Sequence, residues 1–142
     1  MSGSVRNLLA VVAGILVGMG VNMGLITIGP SVIAPPPGVD LTTPEGLAAG
    51  IHLFEPRHFA MPFLAHALGT LAGAYVATRV ASCYKRGAAL AVGALFFAGG
   101  IMAARMIPAP AWFVVADLAL AYFPFAWLGY VLGRPRGKLE AR

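Results

Sequence analysis

Of 142 residues, 59% are hydrophobic and only 11% are charged, and the mean hydropathy is +0.83. Soluble chains carry about a quarter of their residues as charges, so this composition excludes an ordinary soluble domain. The ten Lys and Arg residues against five acids give a net charge of +5. Their placement along the chain, set out below, speaks for a membrane and against a nucleic-acid partner.

The first apolar run covers residues 8–28. It is about 20 residues long, enough at about 1.5 Å per residue to cross a hydrocarbon core of roughly 30 Å. Gly14, Gly18 and Asn22 recur at four-residue spacing, and Gly20 and Gly24 form a second such pair. Small residues in that pattern let helix backbones approach closely in lipid. Gly14 and Gly18 are therefore expected to face a neighbouring helix, with Asn22 on the same face. The run exceeds the about 7–15 residues of a signal-peptide core, and the nearest small-residue pattern, Ser31-Val32-Ile33-Ala34, runs into Pro35, Pro36 and Pro37. A retained anchor is expected.

The loop 29–58 begins with that stiff proline stretch. Thr42 and Glu45 have capping-box spacing and Pro44 suits a first helical turn. Leu47, Ile51 and Phe54 recur on one face, which predicts a short amphipathic helix over about 44–54, lying on the membrane surface or folded over the bundle. His52, Glu55 and His58 are three residues apart and are weak candidates for a metal site. Imidazole and carboxylate suit zinc, but the H-E-x-x-H pattern is absent and Pro56 breaks the helical register such a site needs.

The second run, 59–81, carries Ala65, Gly69, Gly73 and Ala77 as a stripe, with His66 one turn before Gly69. In the turn 82–87 stands the single cysteine, Cys83, which has no intrachain disulfide partner and reads as a reduced thiol. The third run, 88–107, contains Arg105. The fourth, 111–133, contains Asp117, Pro124 and the pair Gly129 and Gly133. Pro124 should kink its helix, and Trp112 with Phe113 fits an interfacial aromatic belt. Met19, Met23, Met61, Met102 and Met106 fit apolar filler better than a copper site. Four spans use most of the chain and predict one domain over residues 1–142, an all-α membrane four-helix bundle.

Arg6, Arg79, Lys85, Arg86, Arg134, Arg136, Lys138 and Arg142 fall beside one face of such a bundle. Asp40, Glu45, Glu55 and Arg57 fall beside the other. By the positive-inside rule, the termini and the 82–87 turn are expected in the cytoplasm, and the loops 29–58 and 108–110 outside. A bacterial cytoplasmic (inner) membrane is the expected location.

Against this apolar background Asn22, His66, Arg105 and Asp117 form the candidate ligand or ion-pathway layer. Polar groups in hydrocarbon are costly and usually face a partner or cavity. Asn22 lies six residues inside the outer end of its run, His66 seven and Asp117 six, which sets them roughly 10 Å deep. Arg105 is nearer the boundary. Helical side chains lean toward the N-terminus, so Arg105 and Asp117, on antiparallel runs, are expected to lean together into an ion pair.

Three readings compete for the layer: structural pairing, a transport or proton-relay site using His66 and Asp117, and recognition of a small anion, headgroup or pigment. No nucleophile–base–orienter set, phosphate loop or cofactor motif is present, so an enzyme is not expected and no cofactor is implied. The expected role is a non-enzymatic accessory or self-associating subunit, a homo-oligomer or part of a larger membrane complex, partnered by the lipid bilayer. The alternative is a small oligomeric transporter or proton-coupled permease.

Overall fold

The computed structural model describes residues 2–135; Arg136, Lys138 and Arg142 lie outside the described residues. The chain is all-α, with no strand among the described residues. Helix α1 spans Gly3–Val32, α2 Pro44–Gly50, α3 Ala60–Val80, α4 Lys85–Met106, α5 Ala111–Leu120 and α6 Phe123–Gly133. Four segments are long and apolar enough to cross a membrane: α1, Pro56–Val80, α4, and α5 with α6 as one broken span. The protein is thus an integral membrane protein by length and composition of its helices. The bundle has a loop end, where α2 sits, and a terminal end.

The spans differ from their sequence boundaries where local chemistry decides. Helix α1 runs four residues past 28 and through Pro30 to Val32, because a proline in a last turn removes only one backbone bond and Gly29 still accepts from Ile33 N at 2.8 Å. The fourth span breaks at Ala121 and Tyr122. Pro124 has no N–H for the Leu120 carbonyl and its ring would crowd that turn, so α6 restarts with the proline in its first turn. The expected kink is a two-residue interruption.

α3 is the central helix, packed against α1, α4 and α6. The glycine stripes explain how closely. A Cβ on Gly18 would stand 2.7 Å from the Gly69 carbonyl oxygen, and one on Gly73 would stand 2.6 Å from the Gly14 oxygen. α1 and α3 therefore meet backbone to backbone, and Gly129 does the same to α3 at Leu71. The expected packing role of Gly14, Gly18, Gly69 and Gly73 holds, and it is exercised within one chain. Gly20 and Gly24, on the opposite face of α1, have nothing near them.

The core is accordingly small-residue. At the terminal end Ala10, Ala77, Ala81, Ala88 and Val92 close the bundle, while Leu8, Leu16, Met23, Met102 and Val115 point outward and exposed, as lipid-facing residues should. The 82–84 turn is tied to α1: Ser82 N donates to Asn7 Oδ1 at 3.0 Å and Asn7 Nδ2 to Cys83 Sγ at 3.2 Å. Arg6 Nε donates to the Val80 carbonyl at 2.9 Å, Lys85 to that of Thr78 at 2.9 Å, and Arg86 lies 5.0 Å over Trp127.

At the loop end, α2 starts one residue later in its cap than the capping-box spacing implied. Thr43, not Thr42, accepts from Gly46 N at 3.0 Å. Thr42 instead serves Asp40, whose carboxylate accepts from the Thr42 hydroxyl at 2.6 Å, the Thr42 N–H at 2.8 Å and the Thr43 hydroxyl at 3.1 Å. Those bonds, the Thr42 hydroxyl first, hold the Asp40 carboxyl below the ordinary 3.8. The helix expected to run to 54 tightens at Gly50 into a 3-10 turn, Ile51–Leu53, because two glycines weaken a short α-helix. Leu47, Ile51 and Phe54 still share one face, turned down onto the bundle.

Candidate functional site

Two of the four candidate residues meet. His66, on α3, places Nδ1 2.8 Å from Asp117 Oδ1 and 3.0 Å from Oδ2. Asp117, on α5, is buried, with a side chain only 6% exposed against 20% for His66. A second donor completes the carboxylate: the Tyr122 hydroxyl, itself buried, donates to Asp117 Oδ2 at 2.9 Å. Thr70 Oγ1 donates to the His66 carbonyl at 2.7 Å. The Tyr122 ring stacks along the imidazole, with centroids 5.7 Å apart and planes 28° apart.

Each position has a local cause. Tyr122 sits in the α5–α6 interruption that Pro124 enforces, so its side chain can turn back toward Asp117, five residues earlier, instead of following the helical spiral. Gly100 on α4 makes the space, since a side chain there would collide with the Tyr122 hydroxyl. His66 projects from the α3 turn next to Gly69, where α1 and α3 touch.

An ionised carboxylate only accepts hydrogen bonds. With Asp117 ionised, Nδ1 carries the proton it shares, and the carboxylate orients the ring. Nε2 has no hydrogen-bond partner among the described residues, and no buried side-chain nitrogen or oxygen there lacks a partner. Nε2 therefore faces open space. Neutral, it accepts a hydrogen bond; protonated, it donates one.

His66, Gly100 and Ala103 form the common wall of two cavities. One, of about 230 Å³, lies at the loop end under Leu47, Ile51 and Phe54, between α3, α4 and α5. The other, of about 350 Å³, opens between α1 and α4 and is lined by Asn22, Met19, Phe96 and Tyr122. Asn22 thus faces the second cavity, with its Cβ against Gly69.

Arg105 does not join the cluster, and the expected Arg105–Asp117 ion pair is absent. Arg105 is exposed. Gly100, Ala103, Ala104 and Ile107 carry the inward face of α4, and at about 100° per residue Arg105 falls with Met102 and Met106 on the outward face. Rotation about the helix axis, which the depth along the axis does not fix, decides the partner. His66 takes the place that Arg105 was expected to fill.

The three weak metal candidates are not gathered either. His58 Nδ1 accepts from Glu55 N at 2.9 Å while its ring packs on Phe54 at 5.3 Å. Glu55 pairs with exposed Arg57 at 3.0 Å, and His52 is exposed. Among the described residues no group of three or more His, Cys, Asp or Glu is placed to hold a metal ion.

Sequence reasoning missed Tyr122 and Gly100. The signal for Tyr122 was its place two residues before a mid-span proline, where a helix must break and a side chain can depart from the spiral. Gly100 carried no signal apart from its neighbours. Comparison of the chain with models of protein families, with curated proteins and with solved structures finds no match.

Proposed function

We propose that the chain is a non-enzymatic, proton-exchanging carrier of the membrane, with His66 and Asp117 as the exchanging pair and Tyr122 as the link to a hinge. The observation that carries this reading is His66 itself: one ring nitrogen is held by a buried carboxylate, the other has no partner among the described residues, and the residue lines two cavities. Ionisable groups at that depth cost too much to serve as filler, and three polar groups satisfying one another leave a single unsatisfied position for an incoming proton or solute.

The bundle is open beside His66 and closed by packed alanines at the terminal end. A pore would be open at both ends; a carrier exposes its site to one end at a time. Tyr122 sits in the α5–α6 interruption and is bonded back to Asp117 on α5, so protonation of Asp117 weakens that hydrogen bond and frees the hinge. The charge asymmetry supports an outward-facing loop end and cytoplasmic termini. Four spans enclose little space, so the working form is an oligomer.

The test is flux. Proteoliposomes with a trapped pH dye and an imposed pH gradient should collapse that gradient faster than empty liposomes. Asp117→Asn and His66→Ala should return the rate to that of empty liposomes while the proteins keep their helical circular dichroism. Wild-type protein that never exceeds empty liposomes, across protons and a panel of small solutes, removes the reading.

A second reading, an accessory or self-associating subunit, is favoured by one observation: the bare Gly20 and Gly24 on the outer face of α1. It predicts that crosslinking in native membranes captures a second copy or another subunit through that face.

A further inference from the structure

We infer that the loop-end cavity binds a neutral, lipid-soluble ring molecule with one hydroxyl or carbonyl head, the head resting on His66 Nε2. The inference rests on the carrier reading only in sharing its site, and names the class of solute.

Size, lining and charge each narrow the occupant. An apolar cavity of roughly 150 Å³ holds benzene, so about 230 Å³ suits one ring with substituents or two fused rings. The walls are hydrocarbon and aromatic, with Ile26, Phe54, Phe59, Phe113 and Leu118 among them. Phe59 and Phe113 already pair with centroids 4.7 Å apart, which leaves edges and faces for a further ring. His66 and Asp117 are the ionisable groups of the lining.

Charge excludes the other classes. Arg105 points away, so an anion would meet the Asp117 carboxylate with no fixed cation to offset it. A cation would have to shed its water into a hydrocarbon wall for a carboxylate already occupied by His66 and Tyr122. A neutral head needs one hydrogen bond, and Nε2 supplies it in either protonation state: it accepts from a hydroxyl when neutral and donates to a carbonyl when charged. The roof formed by Leu47, Ile51 and Phe54 covers the ring, and a hydrogen bond sheltered there is stronger than one in water.

2-Naphthol is the probe, with naphthalene as the same rings without the head. In detergent-solubilised full chain, fluorescence titration should show saturable 2-naphthol binding above micelle partitioning. Naphthalene should bind roughly tenfold more weakly, the loss of one hydrogen bond. Ala104→Leu, which fills the cavity from α4, and His66→Ala should each weaken 2-naphthol by about tenfold or more, and Gly20→Ala, facing open space away from both cavities, should leave it unchanged. Equal binding of the two probes, an unaffected Ala104→Leu protein, or only non-saturable partitioning overturns the inference. Because equilibrium binding requires no transport, binding without flux removes the carrier and keeps the solute class, whereas flux without binding removes the solute class alone.

Discussion

Along α3, Gly69 and Gly73 meet α1 with no side chain at all, while His66, one turn away, meets α5 through a buried carboxylate that also accepts from the Tyr122 hydroxyl. The first contact is fixed by what is missing. Backbones approach until dispersion is satisfied, and lipid offers no competing drive because its tails are as apolar as leucine. The second is fixed by satisfaction of polar groups, each of which has nowhere else to turn. The glycine seam holds the bundle together; the polar cluster holds one nitrogen open. The difference between them suggests which substitutions should unfold the protein and which should only silence it.

The seam should give the largest effects. Gly18→Leu pushes a side chain into the Gly69 carbonyl and Phe96 and should cost about 3 kcal/mol, read as a fall in thermal midpoint and loss of an α1–α3 cysteine crosslink. Two residues on, Gly20→Ala enters open space and should change stability by less than about 1 kcal/mol, on the stabilising side. Equal damage at both positions would break the distinction between an inward and an outward stripe.

In the cluster, Asp117→Ala strands the His66 N–H and the Tyr122 hydroxyl in apolar surroundings and should cost about 2 kcal/mol. Tyr122→Phe removes one donor from a carboxylate that keeps His66, so it should cost about 1 kcal/mol. If the two cost the same, Asp117 is not the centre of the network.

The smallest effect belongs to the loop. Asp40 is held below its ordinary 3.8, so its folded form binds protons less readily than the unfolded one. Its contribution is complete above that value and is lost as pH falls through the lowered one. Hydrogen-exchange protection of the Thr42 and Gly46 amides should be flat from neutral pH to about pH 4 and decline below it. Loss of protection near pH 6 would assign the loop's order to a histidine instead.

The spans, the charge asymmetry, the glycine stripes and the bundle-facing triplet Leu47, Ile51 and Phe54 were legible in the sequence because each is a periodicity or a count. The pairing of Arg105 was misread for the converse reason. Depth along the axis follows from sequence position, but rotation depends on which face of α4 packs, and glycines and alanines lie all round that helix. Tyr122 escaped because its role depends on a helix break, and a tyrosine in the middle of an apolar run looks like one more packing aromatic. Asp40 engages both Thr42 and Thr43, and the two were separable only by which of them accepts from the Gly46 N–H.

The most direct measurement is the rate at which an imposed pH gradient decays in proteoliposomes containing wild-type or His66→Ala protein. The account predicts wild-type decay clearly faster than that of empty liposomes, and His66→Ala decay indistinguishable from them with its helical content intact. Equal rates for wild type and His66→Ala, whether both fast or both at the level of empty liposomes, would contradict it.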